Sequence, residues 1–564
     1  MANKNIFFIF FLLSLLCYGI VLNGPFLFDD RHLIQQNISV QSLQYIPEIY
    51  SGTILKDAGI EGDFYRPNRQ LLFALTYTLS GGQSTILFHL VSILLHALNA
   101  CLLFLILLKL RQNRHVSFVT SLLFLIHPLQ TEAVAYISGL GDPLGFFFLL
   151  LALQQYLNLI SNKGSTHRPK QLLLSVLYFA LALFSKENMV VFLPLVLLLT
   201  IYLLYEDQLP IWPLKLNMAP QWVSKNRVKV QSLKSFLLPF ALYSLLTFGF
   251  IFFRFFLFET RESFRYVPAA APYTENLWIR IWSFIHILWE YFSLLFYPRD
   301  LFFEKPFLIT PWNITLEGVF GLLLILCFVF SVVFYRNFRP LFFGLGWFFV
   351  TMIPFMGIIP INAVFLEHWL YIPSIGIFFL IALLFDKIRT TKLKSFSYLL
   401  IVIISFLLIA RTIDRNRDWA DEERFYKNEL KFAPNSQRFL NNLGGYYARN
   451  QKYEKAIPYF QKAKINGNAA DPYYNLSVLY IELIQVKKVE EQQLVNRALH
   501  ELYLGLQIDP NHFYSLNFTQ KIYQSYGQND RANKVSLLLQ NIKKGIKNQK
   551  IDIQKAMRNR NDGY

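Results

Sequence analysis

The stretch "NIFFIFFLLSLLCYGIVLNGPFLFDDRH" (5–32) runs from an apolar segment of bilayer length straight into two adjacent carboxylates, Asp29 and Asp30. About 20 apolar residues cross the hydrocarbon as a helix, the form in which a single segment satisfies its own backbone polar groups in lipid. The run has no small-x-small cleavage site, so it reads as a first spanning helix rather than a removable signal. A lipoprotein signal is excluded because Leu16, where a small residue is needed, precedes Cys17. Acids this close to hydrocarbon mark either a helix end meeting water or a site of ion or substrate chemistry.

Composition extends the membrane reading to most of the chain. Of 564 residues, 54% are hydrophobic, 17% aromatic and only 16% charged, with 56 Phe; soluble proteins carry about a quarter charged residues. The net charge of +18 lies largely in short loops between apolar runs, where it sets orientation rather than binding nucleic acid. Cys17, Cys101 and Cys327 sit inside apolar runs, which gives neither a disulfide framework nor metal-ligand spacing.

Apolar segments fall near 6–23, 85–110, 116–137, 143–160, 171–185, 188–205, 235–258, 314–335, 340–359, 368–385 and 396–413. A further run, "WIRIWSFIHILWEYFSLLFYP" (278–298), is interrupted by Arg280, His286 and Glu290 and suits an interfacial or re-entrant helix. Lys and Arg in short loops mark the cytoplasmic side. Lys4, Lys109/Arg111/Arg114, Lys163/Arg168/Lys170 and Lys215/Lys225/Arg227/Lys229/Lys234 share one side under simple alternation. Arg336/Arg339 and Lys387/Arg389/Lys392/Lys394 join them if 278–298 does not cross. The sum is about eleven crossings plus an interfacial helical segment, with the C-terminal region outside, on the side of Asp29 and Asp30.

After Arg411 the composition turns polar and helical. "NNLGGYYARNQKYEKAIPYFQKA" (441–463) carries the tetratricopeptide pattern in Leu443, Gly444, Tyr447, Ala456, Phe460 and Ala463. It recurs at Leu476, Ser477, Tyr480, Ala498 and Pro510, with a half-repeat at 419–434 before it and a weak unit around Tyr523 and Ala532 after it. About three units is the minimum for a stable stack. The expected fold is all-α: a membrane helical bundle over 1–413, a tetratricopeptide solenoid over 414–540 and a basic tail over 541–564.

On this topology the outer loops collect Asp29-Asp30, "DFYRPNRQ" (63–70), "HPLQTEAVAYISGLGD" (127–142), "SKEN" (185–188) and "EHWLYIPS" (367–374). Carboxylates, cations and aromatics gathered beside lipid suit sugar transfer from a lipid phosphate. A carboxylate takes the acceptor proton, cations hold the departing phosphate, and an apolar groove admits the lipid chain.

These segments, together with "YRPNRQLLFALTY" (65–77), "FHLVSILLHALNA" (88–100), "LFSKE" (183–187), "EHWLYIPSIG" (367–376) and the C-terminal repeats, resemble the transmembrane and tetratricopeptide-repeat-containing O-mannosyltransferases and their bacterial relatives, of the GT-C class. The resemblance implies inverting transfer of a hexose such as mannose from a polyprenyl-phosphate donor to a hydroxyl. It also implies an acidic residue of the first outer loop as general base. That residue is Asp30 or Asp29, with Asp30 favoured and Asp29 left to orient a backbone or bind a cation. Arg66, Arg69, Lys186, Arg254 and His368 are the candidate donor-phosphate ligands. Glu132, Asp142, Glu187 and Glu367 are the supporting acids.

Each has a structural alternative. Asp142-Pro143 fits an N-cap with proline at N1, Lys186 and Glu187 fit an ion pair, and Arg66 and Arg69 fit snorkelling cations. Arg254, inside "FIFFRFFLF" (250–258), needs a polar cavity. His89 and His96 share a helix face and read as packing residues. Where the family has Glu-Arg, this chain has Glu367-His368, which weakens the phosphate role there.

The expected partners are the bilayer, a polyprenyl-phosphate-linked sugar and a protein acceptor delivered by the repeats, without nucleic acid. No cofactor is required by the sequence, and a divalent metal is left open. The expected setting is a bacterial inner membrane with site and repeats periplasmic, or luminal in a eukaryote. A non-catalytic repeat scaffold and a lipid-linked-sugar transporter are the competing readings. The first leaves the outer-loop acids without a role; the second predicts internal repeats among the spans, and none is visible.

Overall fold

The computed structural model describes residues 3–51, 65–82, 84–110, 112–161, 167–204, 234–257, 276–303, 313–335, 337–359, 361, 363–487, 491–544 and 546–557. Arg111, Lys163, Lys215, Lys225, Arg227, Lys229 and Arg336 of the loop-charge argument lie outside the described residues. The described residues are helical with no strand among them, and they form two compact units, Met1–Asp421 and Glu422–Tyr564.

The first unit holds α1 (Asn3–Tyr18), α2 (Pro67–Ser80), α3 (Ile86–Lys109), α4 (Arg114–Ile126), α5 (Thr131–Ala135), α6 (Gly141–Ser161), α7 (Arg168–Ser185) and α8 (Phe192–Leu204). It continues through α9 (Lys234–Phe252), α10 (Leu277–Phe296), α11 (Leu316–Val333), α12 (Arg339–Met352), α13 (Ser374–Arg389) and α14 (Lys394–Trp419). Among the described residues six helices are long and apolar enough to cross a membrane, or seven if the bent pair Arg114–Ile126 and Pro128–Ala135 is one span. Large apolar side chains such as Leu323 and Leu326 on α11 and Val402 and Phe406 on α14 are exposed, as suits surfaces whose solvent is lipid.

Proline chemistry bends that pair. Pro128 holds the preceding His127 in extended backbone (φ −75°, ψ 132°) and turns the chain by 54°. His127 Nδ1 accepts from the Leu129 N–H, so its Nε2–H is the one donated to the Leu295 carbonyl at the end of α10.

The segment expected to lie in the interface also has the dimensions of a span. Leu277–Phe296 is one continuous helix of 20 residues with the length and apolarity of a span. Its polar groups find partners that permit this: Arg280 Nε donates to the Gly357 carbonyl at 2.6 Å, and His286 Nδ1 meets the Trp282 carbonyl. Helix α11 packs closely on it because residue 321 is glycine, where a Cβ would collide with the Ile285 carbonyl. Counting α10 as a crossing reverses the parity of everything after it, so loop charge alone does not assign the sides.

The second unit comprises α15 (Glu422–Phe432), α16 (Gln437–Arg449), α17 (Tyr453–Ile465), α18 (Asp471–Lys487), α19 (Glu491–Ile508), α20 (Phe513–Ser525), α21 (Asn529–Lys543) and α22 (Lys550–Met557). Helices pack in consecutive pairs, α16 on α17, α18 on α19 and α20 on α21. Leu443, Tyr447, Ala456, Phe460, Ala463, Leu476, Ser477, Tyr480, Ala498, Tyr523 and Ala532 are all buried in this unit. A Cβ on residue 444 would stand 2.8 Å from the Phe460 ring, which is why glycine is found there.

Candidate active site

The loop after α1 turns at Phe28, whose φ of 53° is rare for a bulky side chain. Such a conformation costs on the order of 1–3 kcal/mol and persists only where its surroundings fix it. Here the Phe28 ring packs edge-on against Phe303, and the residues that follow are bonded on both sides. Asp29 donates its backbone N–H to the Tyr136 hydroxyl at 3.1 Å. Asp30 is 1% exposed. One carboxylate oxygen accepts from the Ser138 N–H at 2.8 Å and from the Ser138 hydroxyl, and the other accepts from the Leu27 N–H at 3.0 Å. Burial pushes the Asp30 carboxyl up to about 7, against the lowering effect of these bonds. The side chain of Asp29 is exposed.

Ser138 is gripped a second time, by Arg69 Nη1 on its carbonyl at 3.0 Å. Arg69 is buried, and desolvation followed by repulsion from Arg66 lowers its guanidinium to about 9. Asp29 lies close enough to act on both Arg69 and Tyr136.

Beyond Arg69 the charges gather. Arg66, just before α2, forks onto Glu187 through Nε at 2.7 Å and Nη2 at 2.5 Å. Arg254, in the turn after α9, reaches the same carboxylate at 3.4 Å. Burial pushes Glu187 upward, but Arg66 and Arg254 together hold it well below the usual carboxylate range. Lys186 Nζ lies 2.6 Å from Asp142, and burial lowers its ammonium despite that partner. The N-cap reading of Asp142 is corrected: α6 already begins at Gly141, and the carboxylate faces Lys186.

Glu132 accepts from the backbone N–H of His368 at 2.9 Å and meets its Nδ1 at 2.6 Å. Burial, then Lys186, lowers the imidazole to about 3, and burial raises the Glu132 carboxyl to about 8, so the contact is a hydrogen bond between two groups that burial holds toward neutrality rather than an ion pair. Glu367, fully buried, accepts from the Phe302 N–H and faces Arg415 of α14 at 3.9 Å. Arg415 is itself fully buried, 3.4 Å from Asp418 and stacked over Trp419.

The structure therefore brings together Arg66, Lys186, Glu187, Arg254 and Asp142; Asp142 and His368 line one narrow crevice, and Glu132 is bonded to His368. Behind it, His96 Nε2 meets the Leu125 carbonyl and so carries its proton there, leaving Nδ1 to accept from Tyr371. Asn99 donates to Tyr371 and to the Pro143 carbonyl. Sequence reasoning missed Ser138, Tyr136, Tyr371, Arg415 and Asp418. Ser138 and Tyr136 lay inside a quoted motif, but only their fold-dependent contact with Asp29 and Asp30 singles them out.

Between α7 and α9 runs an apolar groove of about 480 Å³, lined by Leu183, Phe184, Leu246, Phe250 and Phe253 among others. The rings of Phe184 and Phe253 both pack on Tyr65, next to Arg66. The groove thus ends beside the Arg66–Glu187–Arg254 cluster. Among the described residues no three His, Cys, Asp or Glu side chains stand where they could share a metal ion.

Fold and site define an all-helical, multi-pass membrane protein with clustered carboxylates and guanidiniums beside an apolar groove. Its relatives are protein O-mannosyl-transferases of the TMTC type. The chain is 25% identical to Protein O-mannosyl-transferase TMTC3 of Homo sapiens over 539 residues, covering 91% of this chain and 58% of that one. It is 27% identical to TMTC4 of Mus musculus over 488 residues, 79% of this chain and 64% of that one. Against TMTC1 of Homo sapiens identity reaches 35% over 200 residues, 31% of this chain and 21% of that one. The chain therefore spans about three-fifths of the length of the first two relatives. Among solved structures it is similar to the archaeal oligosaccharyltransferase AglB from Archaeoglobus fulgidus, with a TM-score of 0.37, 13% identity, and coverage of 74% of this chain and 56% of that one. No protein-family profile matches.

Proposed function

We propose that this protein is a membrane glycosyltransferase of the GT-C class that moves a hexose, mannose by analogy with its relatives, from a polyprenyl phosphate to a hydroxyl on a protein. The observation that carries the proposal is the division of labour within Asp29-Asp30. Asp30 is buried with both oxygens bonded, while Asp29 is exposed and fixed by its backbone beside Arg69. We assign the general base to Asp29 and the positioning role to Asp30, which exchanges the roles expected from sequence.

In the reaction Asp29 takes the proton of the acceptor hydroxyl as its oxygen attacks the anomeric carbon from the side opposite the phosphate. The anomeric carbon–oxygen bond to phosphate breaks with its electron pair going to the phosphate, and the configuration inverts. The leaving group gains a negative charge, and Arg66, Arg254 and Lys186 are the cations within reach of the groove's end to stabilise it. His368, neutral and bonded to Glu132, shapes the cleft and adds no charge.

The bundle, 1–413, carries the chemistry. The helix pairs of 414–540 are read as tetratricopeptide repeats that present the protein acceptor on the outer face of the membrane, followed by the basic tail 541–564. The setting is a bacterial inner membrane with the site periplasmic, or the luminal face in a eukaryote. The test is a transfer assay with purified protein and a radiolabelled polyprenyl-phosphate sugar. Label must reach acceptor with the wild type and fall with Asp29→Asn; no transfer by the wild type sinks the proposal.

A further inference from the structure

We propose that Glu187 is an exchangeable anion: it occupies, in the resting protein, the position that the donor's phosphate takes, and it leaves the two arginines when the phosphate arrives. The inference rests on the glycosyltransferase reading above and concerns how its phosphate site is filled and emptied.

The geometry sets this out. A carboxylate held by a guanidinium fork and a second guanidinium has the hydrogen-bond pattern that two oxygens of a phosphate make. Arg66 forks both Glu187 oxygens, and Arg254 reaches one of them. The two arginines come from separate elements, the segment before α2 and the turn after α9. An anion between them is what offsets their mutual repulsion.

Accessibility separates Glu187 from the other carboxylate of the cluster. The Glu187 side chain is 28% exposed, whereas that of Asp142, paired with Lys186, is 2% exposed. Asp142–Lys186 is therefore fixed framework, and Glu187 is the acid an incoming ligand meets. The apolar groove delivers its occupant to the same place, since Phe184 lies three residues before Glu187 and Phe253 immediately before Arg254. A lipid tail in the groove carries its phosphate to the arginines.

Charge makes the exchange cyclic. The sugar phosphodiester bears one negative charge, as Glu187 does, so replacing one by the other leaves the cluster's charge unchanged. After transfer the polyprenyl phosphate bears up to two, and the same two guanidiniums bind it more strongly. A tethered carboxylate that competes for them at high local concentration then speeds product departure. Glu187 thus weakens ground-state binding of both donor and product and raises turnover.

The test compares full-length wild type with Glu187→Gln and with Glu187→Asp, which keeps the charge but shortens the reach. Binding of a polyprenyl phosphate is measured beside kcat and KM for the sugar-loaded donor. The expected result is that Glu187→Gln binds polyprenyl phosphate roughly ten- to hundredfold more tightly, the scale of a charge-assisted hydrogen bond, with KM and kcat both lowered. Glu187→Asp shifts the same way by less and reads out the exchange if the Gln variant does not fold. If the wild type transfers sugar but both variants bind the phosphate no more tightly, with KM unchanged or raised, Glu187 merely braces the arginines and the exchange is wrong. If the wild type neither binds polyprenyl phosphate nor transfers sugar, the glycosyltransferase reading itself falls, and the exchange with it.

Discussion

Asp30 and Ser138 stand 108 residues apart in the chain and are joined twice, the backbone N–H and the hydroxyl of Ser138 both donating to one carboxylate oxygen. This joint fastens the first acidic loop to the second. Its other consequence is directional: Asp30 stands at the N-cap of the helical turn Arg31–Gln35 with its side chain turned back to Leu27 and Ser138, while the side chain of Asp29, one residue earlier in the turn, is exposed.

The joint has a stability signature. Replacing Asp30 by Asn puts an amide N–H₂ opposite either the Leu27 or the Ser138 N–H, donor against donor. An unmet buried hydrogen bond of this kind costs about 1–3 kcal/mol, so Asp30→Asn lowers the melting temperature in detergent. The pH dependence has a definite sign. Asp30 is raised to about 7 when folded from about 3.9 unfolded, so the folded state binds more protons over that interval. Its contribution is complete below about pH 4 and lost as pH rises through about 7. The Asn variant removes that component of the slope; an unchanged slope would assign the titration to other groups.

The pair Glu367–Arg415 predicts a second effect. Both side chains are fully buried, and removing one partner of a buried pair costs up to about 3–5 kcal/mol, reduced here because Asp418 also faces Arg415 at 3.4 Å. Glu367→Gln keeps an acceptor for the Phe302 N–H yet removes the charge facing Arg415. The expectation is loss of folded protein after detergent extraction, with Glu367→Gln/Arg415→Met recovering part of it. A single variant as stable as wild type would show that the other partners of Arg415, Asp418 among them, suffice.

What the sequence made legible follows from what is local. The apolar runs gave helices, the "HP" at 127–128 gave the bend, and the small and large residues of 441–463 gave a packed helix seam. Arg66, Lys186 and Glu187 stand in outer-loop motifs and Arg254 interrupts an apolar run, and the fold brings them together. Side-chain direction was not legible. Asp29 and Asp30 are equivalent in the string, and only Ser138, more than a hundred residues on, decides which is buried. The partner of Arg280 within 278–298 was illegible for the same reason: the Gly357 carbonyl that accepts from it lies 77 residues away.

The status of α10 is open to direct measurement. If Leu277–Phe296 crosses, reporters fused after Trp212 and after Arg339 lie on opposite sides of the membrane; if it is interfacial, they lie on the same side. The glycosyltransferase reading requires a fusion after Arg415 to lie on the side of Asp29. A reporter after Arg415 on the opposite face from one inserted in the first loop would separate the repeats from the site.

The repeats predict a split phenotype. Removing Glu422–Tyr564, a compact unit by itself, abolishes modification of the natural protein acceptor but spares binding of the lipid donor. A milder change tests the same idea. Asn475 Nδ2 donates to Asn441 Oδ1 at 2.9 Å, linking the first helices of two successive pairs, and amides so placed suit hydrogen bonds to an extended peptide backbone. Asn441→Ala/Asn475→Ala raises KM for a protein acceptor without altering KM for the donor. Equal acceptor kinetics would remove the repeats from substrate delivery.

Asp29→Asn is the decisive substitution. The amide keeps the shape and the backbone bond from Asp29 N–H to Tyr136 but cannot accept a proton. General-base catalysis contributes on the order of a hundred- to ten-thousand-fold, equivalent to roughly 3–5 kcal/mol of barrier. The variant therefore inserts, melts like wild type and binds donor, while kcat falls on that scale. Asp30→Asn shows the opposite balance, with a lowered melting temperature and a smaller loss of kcat in the fraction that remains folded. Should Asp30→Asn lose turnover without losing stability while Asp29→Asn keeps it, the base is the buried carboxylate and the assignment reverses. If the double variant turns over normally, neither acid touches the reaction and Asp29-Asp30 is only the end of a spanning helix.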